Sequence, residues 1–151
     1  MSYRAPHSFE GPLRDTLDYK EKDWPEIEKA HAAKITLLDK QIGRLINKLK
    51  EIDELDNTLI LFTSDNGPHF ADGGHELEFF NSNGKLRGGK RDLYEGGVRV
   101  PLIAYWKNKI RPKGKSYHIS GFQDIMATFA EIIEYKVCLL YTSDAADDSG
   151  C

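Results

Sequence analysis

Apolar residues recur at three- and four-residue steps through the first half of the chain and predict one long amphipathic helix. The residues of this stripe are Ile27, Ile35, Leu38, Ile42, Leu45, Ile46, Leu49 and Ile52. Asp23 is predicted to cap the helix, Pro25 suits its first turn, and Asp56-Asn57 ends it. Gly43 lies inside the pattern and costs about 1 kcal/mol relative to alanine, so we expect close packing there.

Two further apolar runs and a second amphipathic segment follow this helix. Thr58–Thr63 encloses an unbroken apolar run, which is typical of a strand covered on both faces. Arg99–Trp106 predicts a second strand, in which Pro101 favours an edge or bulge position. Ser120–Tyr135 predicts a second helix, whereas residues 1–23 and 64–97 are rich in polar residues with Pro or Gly and predict loops. The order helix, strand, loop, strand, helix indicates an α/β protein.

Composition narrows the class of protein. The 151 residues suffice for one domain, and 40% hydrophobic with 30% charged residues is ordinary for a globular protein. The formal charge of −3 comes from residues 137–151, so residues 1–136 are neutral and favour neither a nucleic-acid nor a membrane partner. No signal peptide is visible after Met1, and no apolar run approaches the about 20 residues needed to span a bilayer. Both cysteines lie beyond residue 136, which excludes a disulfide framework before that point.

Residues 137–151 differ in character from the rest of the chain. Their sequence begins "VCLLYTSDAADD", and Cys-Leu-Leu-Tyr-Thr-Ser is encoded by TGTCTCTTATACACATCT, the mosaic end used in transposon-based library preparation. We interpret 137–151 as a translated, non-native adapter, with an acidic tail of the protein itself as the alternative. The domain is then expected to occupy residues 1–136, with a gene cut off near Lys136 and a tail that packs poorly against it.

An acid and an amide follow the first predicted strand directly. Asp65 and Asn66 stand where the strand ends, and Gly67-Pro68 turns the chain there. Ligands of α/β sheets bind outside the carboxyl ends of strands. Carboxylate and amide oxygens suit Ca²⁺, with Mg²⁺ as a second choice, and suit zinc poorly. On these residues alone, a simple capped turn is the favoured interpretation, because Asp-Asn-Gly is ordinary turn chemistry.

The segment "NGKLRGGKRDLYEGG" combines closely spaced glycines with positive charge. It matches much of a phosphate-binding P-loop, but Arg91 stands where a Ser or Thr should hold Mg²⁺ and no strand precedes the segment. We therefore reject a nucleotide triphosphatase. The glycines still allow the backbone to close on an oxyanion, which Lys85, Arg87 and Lys90 could attract. The alternative is a solvated basic loop.

Together these motifs resemble the sulfatase family. "LFTSDNGPH", "GGHELEFFNSNGKLRGGKRDLYEGGVRVPLIAYW" and "DIMATFAEII" are similar to the C-terminal part of a sulfatase catalytic domain. The resemblance implies an alkaline-phosphatase-like α/β sandwich with a central, mostly parallel sheet flanked by helices. It also implies hydrolysis of sulfate esters, small or carbohydrate, by a formylglycine that lies beside Ca²⁺.

The resemblance assigns roles residue by residue. Asp65 and Asn66 match two metal ligands, and Lys90 matches the lysine that contacts the sulfate and neutralises charge there. Pro6-His7 resembles the segment that holds the active-site histidine, which could protonate the leaving group. His75, and with less support His69, could face the substrate from the loop.

The chain also departs from the family pattern. The formylglycine signature, Cys or Ser followed by x-Pro-x-Arg, occurs nowhere in it, and neither does the early Asp-Asp metal pair. This implies that the N-terminal half of the domain, with the formylglycine, is missing and would be its natural partner, so the chain alone is expected to be inactive. Family members are usually periplasmic, extracellular or lysosomal, and the compartment stays open. The rival interpretations are a phosphonate or phosphodiester hydrolase of the same superfamily and a non-catalytic polypeptide.

Overall fold

The computed structural model describes residues 6–7, 17–69, 75–112 and 114–135. It divides the chain into two compact units, residues 1–112 and residues 113–151. The predicted adapter tail lies outside the described residues. Within the described part of the chain, no helix combines the length and the apolar character needed to cross a membrane.

The predicted long helix is present as α1, Glu26–Glu51. Its first turn is capped by the backbone of Pro25 without a side-chain hydrogen bond, so the prediction that Asp23 caps it is wrong. The helix ends at Ile52, and Asp53 takes the left-handed conformation (φ 57°) that breaks it. The predicted close packing at Gly43 is also wrong for the described residues, because none of their atoms lies within 4 Å of the position its Cβ would occupy.

The buried part of α1 is its N-terminal half, where the side chains are small. Ala30, Ala32 and Ala33 are buried, whereas several members of the predicted apolar stripe are exposed, Ile35 to 46% and Ile52 to 52%. Small side chains let other segments approach the helix backbone closely. The core of this unit therefore lies where the loops of the candidate site meet the start of α1.

An aromatic group fixes one of those loops to the same end of α1. The indole of Trp24 meets the rings of Phe79 and Phe80 edge to face, with ring centroids 5.7 and 5.4 Å apart, and stacks on Tyr19. Such pairs each contribute about 0.5–1.5 kcal/mol beyond their burial. The Tyr19 hydroxyl also lies 2.9 Å from Thr36 Oγ1 on α1.

The sheet of the first unit contains two strands, β1 (Ile60–Thr63) and β2 (Leu102–Tyr105). They pair antiparallel, with Ile60 opposite Tyr105 and Thr63 opposite Leu102. The α/β class is confirmed, but the predicted mostly parallel sheet is wrong for the described residues. Parallel neighbours need a crossover that returns the chain to the start of the first strand. Among the described residues of the connecting loop, α2 (Glu95–Val98) is the one short helix, and β2 starts from the end of β1.

The strands are shorter and more exposed than their sequences predict. Phe62 of β1 is 40% exposed, and Ile103 of β2 is 59% exposed. The prediction that the first strand is covered on both faces is therefore wrong for the described residues. Pro101 lies just before β2 and so takes no part in the ladder, as expected for a residue without an N–H.

The second unit contains α3, Asp124–Ile132, within the segment predicted as helix. The carboxylate of Asp124 accepts a hydrogen bond from the Gly121 N–H at 2.7 Å, which closes the turn before the helix. The predicted apolar face exists in sequence but is largely exposed, with Met126 at 77% and Ile133 at 71%.

Candidate functional site

The turn after β1 presents the two predicted metal ligands. The hydroxyl of Ser64 donates to the Asn66 carbonyl at 2.8 Å, and Asn66 Nδ2 donates to the Gly67 carbonyl at 2.8 Å. The second bond leaves Asn66 Oδ1 as an acceptor. The Asp65 side chain is exposed, and no hydrogen bond or ion pair engages it among the described residues. The turn thus holds two hard oxygen donors beside each other at the end of the strand.

The basic, glycine-rich segment packs directly on this turn. The Gly67 N–H donates to the Gly97 carbonyl at 2.8 Å, and the Lys90 N–H donates to the Pro68 carbonyl at 2.8 Å. A Cβ at Gly67 would overlap the backbone carbonyl of Gly96. Glycine is therefore required at 67 by the close approach of two backbones, and the Lys90 backbone is bonded two residues beyond the predicted ligand Asn66.

A substitution at Gly67 should separate these two backbones. Gly67→Ala is expected to destabilise the protein by about 2–4 kcal/mol, because its methyl group overlaps backbone that cannot rotate away. Gly43→Ala is the matched control in α1, where the added methyl meets nothing, and it should stabilise by about 0.5–1 kcal/mol. Urea unfolding of both variants measures the difference, and equal effects would contradict the close approach at Gly67.

Lys90 is held by its own loop as well as by the turn. The Asp92 carboxylate accepts a hydrogen bond from the Gly89 N–H at 3.0 Å, and the Asp92 N–H donates to the Gly89 carbonyl at 2.9 Å. Arg91, the next residue, has a φ of 79°, a region that non-glycine residues occupy at a cost of about 1 kcal/mol or more. Strained backbone of this kind is concentrated at functional sites.

The Lys90 side chain reaches the predicted histidine. Lys90 Nζ lies 3.3 Å from His7 Nε2, although 83 positions separate the two residues in sequence. Lys34 Nζ, from α1, donates to the His7 carbonyl at 3.2 Å. His7 is thus placed at the same end of β1 as the Asp65 turn, with two ammonium groups beside it.

A buried cluster behind the turn was missed by sequence reasoning. Glu28 of α1 is 1% exposed, and its Oε2 lies 2.6 Å from Nδ1 of His75, which is 3% exposed. The ring of His31 stacks on that of His75 at 4.0 Å, and the ring of His69 lies 5.1 Å from it. The burial of His75 favours a supporting role over the predicted contact with substrate, which stays a prediction. A charged residue inside an apolar helical stripe was the available signal.

The surroundings of His31 disfavour its protonation. Its pKa is lowered from 6.5 to about 4, first by burial and then by the neighbouring charges that His75 and His69 would carry. Glu28 opposes this effect, and Lys34 adds to it. The stacked rings of His31 and His75 lie at 18° and present faces to each other.

Across the residues the structure describes, no three His, Cys, Asp or Glu side chains could hold a metal ion together.

The lowered pKa of His31 predicts a loss of stability in mild acid. Between pH 6.5 and about 4 the unfolded chain binds a proton at His31 that the folded chain does not. The free energy of unfolding therefore has its full value above pH 6.5 and decreases as the pH falls towards 4. We expect the free energy of unfolding to decrease by about 1–2 kcal/mol over this range, because solvent at the partly exposed His31 ring weakens the shift.

Urea unfolding of the full-length protein at pH 7.0 and 4.5 measures this loss. His31→Phe keeps an aromatic ring but cannot bind a proton, so its stability should fall less between the two pH values. A variant that loses as much stability as the wild type would exclude His31 as the source.

The oxygen donors of the turn fit a calcium ion in chemistry and in access. The Asp65 carboxylate and Asn66 Oδ1 are hard ligands, adjacent and placed at a strand end. Calcium takes six to eight oxygens, so two side chains form only part of a site. The donor set present fits the ion, and further ligands are required to complete it.

The sequence matches a known protein family over most of its length. A family model described as Sulfatase matches residues 1–135. The chain therefore belongs to the sulfatase family.

Individual relatives and structures give the same result. The chain is 38% identical over 120 residues to the N-acetylgalactosamine-6-O-sulfatase of Bacteroides thetaiotaomicron, across 76% of this chain and 22% of that protein. It is 36% identical over 95 residues to the arylsulfatase A of Homo sapiens, across 63% of this chain and 18% of that protein. The crystal structure of Ps i-CgsB in complex with k-i-k-neocarrahexaose matches with a TM-score of 0.74 and 28% identity, across 88% of this chain and 28% of that one. The chain thus spans about a fifth of the length of the curated relatives it matches.

Proposed function

We propose that this chain carries the calcium- and sulfate-binding part of an active site that hydrolyses sulfate esters. The observation that carries the proposal is the pair formed by Lys90 Nζ and His7 Nε2 at 3.3 Å. The backbone of Lys90 is bonded to Pro68, two residues after Asn66. These contacts support a site at the end of β1 in which the ammonium, the imidazole and the two predicted oxygen ligands act together, although they come from three distant parts of the sequence.

Each side chain has a defined task in this proposal. The Lys90 ammonium binds a sulfate oxygen and offsets its negative charge. Nε2 of His7 would exchange a proton with the ester oxygen of the leaving group. Asp65 and Asn66 would hold Ca²⁺, which supplies a fixed positive charge that orients the sulfate. The nucleophile, a formylglycine by family resemblance, has no precursor motif among these 151 residues.

The substrate class that we propose is a sulfated carbohydrate. The named relatives include an N-acetylgalactosamine-6-O-sulfatase, and a matching structure was solved in complex with k-i-k-neocarrahexaose. A phosphonate or phosphodiester hydrolase is the runner-up, because sulfate and phosphate esters are similar in shape. The similarity to proteins named as sulfatases favours the sulfate ester.

Release of free sulfate tests this function, measured on the full-length protein, by which we mean this chain joined to the formylglycine-bearing N-terminal half that the family resemblance implies. N-acetylgalactosamine 6-sulfate, an aryl sulfate and an aryl phosphate diester are supplied at equal concentration, with calcium or with a chelator. We expect sulfate release from the sugar that is lost with the chelator and restored by calcium. Preferential cleavage of the phosphate diester would favour the runner-up, and no turnover of any ester would favour a non-catalytic polypeptide.

A further inference from the structure

Glu28 is the most deeply buried charged residue in the described part of the chain, and the proposed chemistry does not use it. It is 1% exposed. A buried carboxylate persists only when partners replace the water it has lost. Its two oxygens have such partners: Oε2 lies 2.6 Å from His75 Nδ1, and Oε1 accepts the Glu76 N–H at 2.9 Å. One side chain of α1 therefore holds two successive residues, His75 and Glu76, of the loop between β1 and β2.

His75 is connected to Lys90 through a series of direct contacts. The ring of His75 packs against that of His69 at 5.1 Å. His69 follows Pro68, whose carbonyl accepts the Lys90 N–H at 2.8 Å. A shift of His75 away from α1 would remove the support beneath the Pro68 turn, on which the position of Lys90 depends.

The same face of α1 also supports the other side of the site. Lys34 lies six residues after Glu28, and its Nζ donates to the His7 carbonyl at 3.2 Å. His31, midway between them, stacks on His75 at 4.0 Å. Residues spaced by three lie on neighbouring positions of a helix surface. This face of α1 thus contacts both the loop that precedes Lys90 and the segment that carries His7.

We propose that Glu28 is a positioning residue of the active site, which holds His75 and the Pro68 turn so that Lys90 meets His7 in the reactive arrangement. The proposal rests on the proposed function for its kinetic consequence, but its structural consequence is independent of it. Glu28 cannot contact the substrate itself, because it is enclosed between α1 and the loop. Displacement of a catalytic group by about 1 Å can cost about 100-fold in rate.

Two variants of Glu28 and one control separate positioning from stability alone. Glu28→Gln keeps the shape and an acceptor for the Glu76 N–H, but its amide nitrogen cannot accept the proton of His75 Nδ1. Glu28→Ala removes both bonds. Glu26→Gln is the control, since Glu26 lies on the same helix, is 79% exposed and, within the described residues, pairs with Lys29 alone. The aromatic contacts of Trp24 with Phe79 and Phe80 remain in every variant.

The full-length variants are compared well below their unfolding temperatures by two measurements. The first is kcat and KM for the sulfated sugar. The second is amide hydrogen exchange at Glu76 and Lys90, whose N–H groups report on the fastened loop and on the Pro68 turn. We expect kcat to fall about tenfold for Glu28→Gln and about 100-fold for Glu28→Ala, with KM changed less than about threefold.

Exchange at the Lys90 amide should also become faster in both variants and stay unchanged in Glu26→Gln. Faster exchange at Glu76 alone, with wild-type exchange at Lys90, would mean that Glu28 only fastens its own loop and would overturn the proposal. Wild-type kcat in a folded Glu28→Gln protein would do the same. If the wild type releases no sulfate from any ester, the proposed function fails and the exchange at Lys90 decides the role of Glu28. If Glu28→Ala does not fold, Glu28→Gln carries the test.

Discussion

Replacing Asp65 by asparagine is expected to weaken calcium binding by about 10- to 100-fold and to lower kcat by about 100- to 1,000-fold. The substitution keeps the shape of the side chain but removes one negative charge, and calcium affinity depends strongly on the number of charged ligands. Without the ion, the sulfate loses the positive charge that orients it. The folded state should change little, within about 0.5 kcal/mol, because the Asp65 side chain is exposed and makes no ion pair among the described residues.

Calcium titration calorimetry of the full-length wild type and Asp65→Asn measures the binding effect. Sulfate release at saturating calcium then separates weak binding from slow chemistry. Asp56→Asn is the control, because Asp56 is an exposed carboxylate whose ion-pair partner is Lys107, at 2.5 Å. Equal calcium affinity in the wild type and Asp65→Asn would show that Asp65 is only a turn residue.

Replacing Lys90 by alanine should act on the sulfate and leave the ion in place. We expect kcat/KM to fall about 100- to 1,000-fold, the effect of removing one preorganised charged donor from an active site. Calcium affinity should stay within about twofold, because Lys90 contacts His7 and meets the metal turn only through its backbone. The opposite pattern, lost calcium affinity with unchanged kcat/KM, would contradict the assignment of Lys90 to the sulfate.

A double-mutant cycle tests the contact between Lys90 and His7. Single alanine variants of each and the double variant are compared in kcat/KM. Since the two side chains meet at 3.3 Å, we expect the double variant to lose clearly less activity than the two single effects combined. Lys109→Ala is the control for Lys90, since Lys109 is an exposed lysine outside the glycine-rich segment. Fully additive effects would mean that His7 and Lys90 work independently.

Local sequence was sufficient for those features that depend on neighbours along the chain. The three- and four-residue period predicted α1, because the spacing of apolar residues on a helix face does not depend on which segment packs against that face. The placement of an acid and an amide at the end of an apolar run predicted the oxygen donors of the turn. The family likewise followed from dense motifs that are contiguous in sequence.

Contacts between distant segments were decided by the tertiary structure alone. The direction of β2 depends on which end of β1 the loop occupies, and nothing in the strand sequences records that. The burial of Glu28 depends on two hydrogen bonds to residues 47 and 48 positions away. A glutamate in a helix ordinarily lies on a solvated face, so the residue type alone pointed the other way. Periodicity shows which side of a helix or strand is apolar. The segment that packs against that side is determined only in the folded chain, where buried polar groups require hydrogen-bond partners.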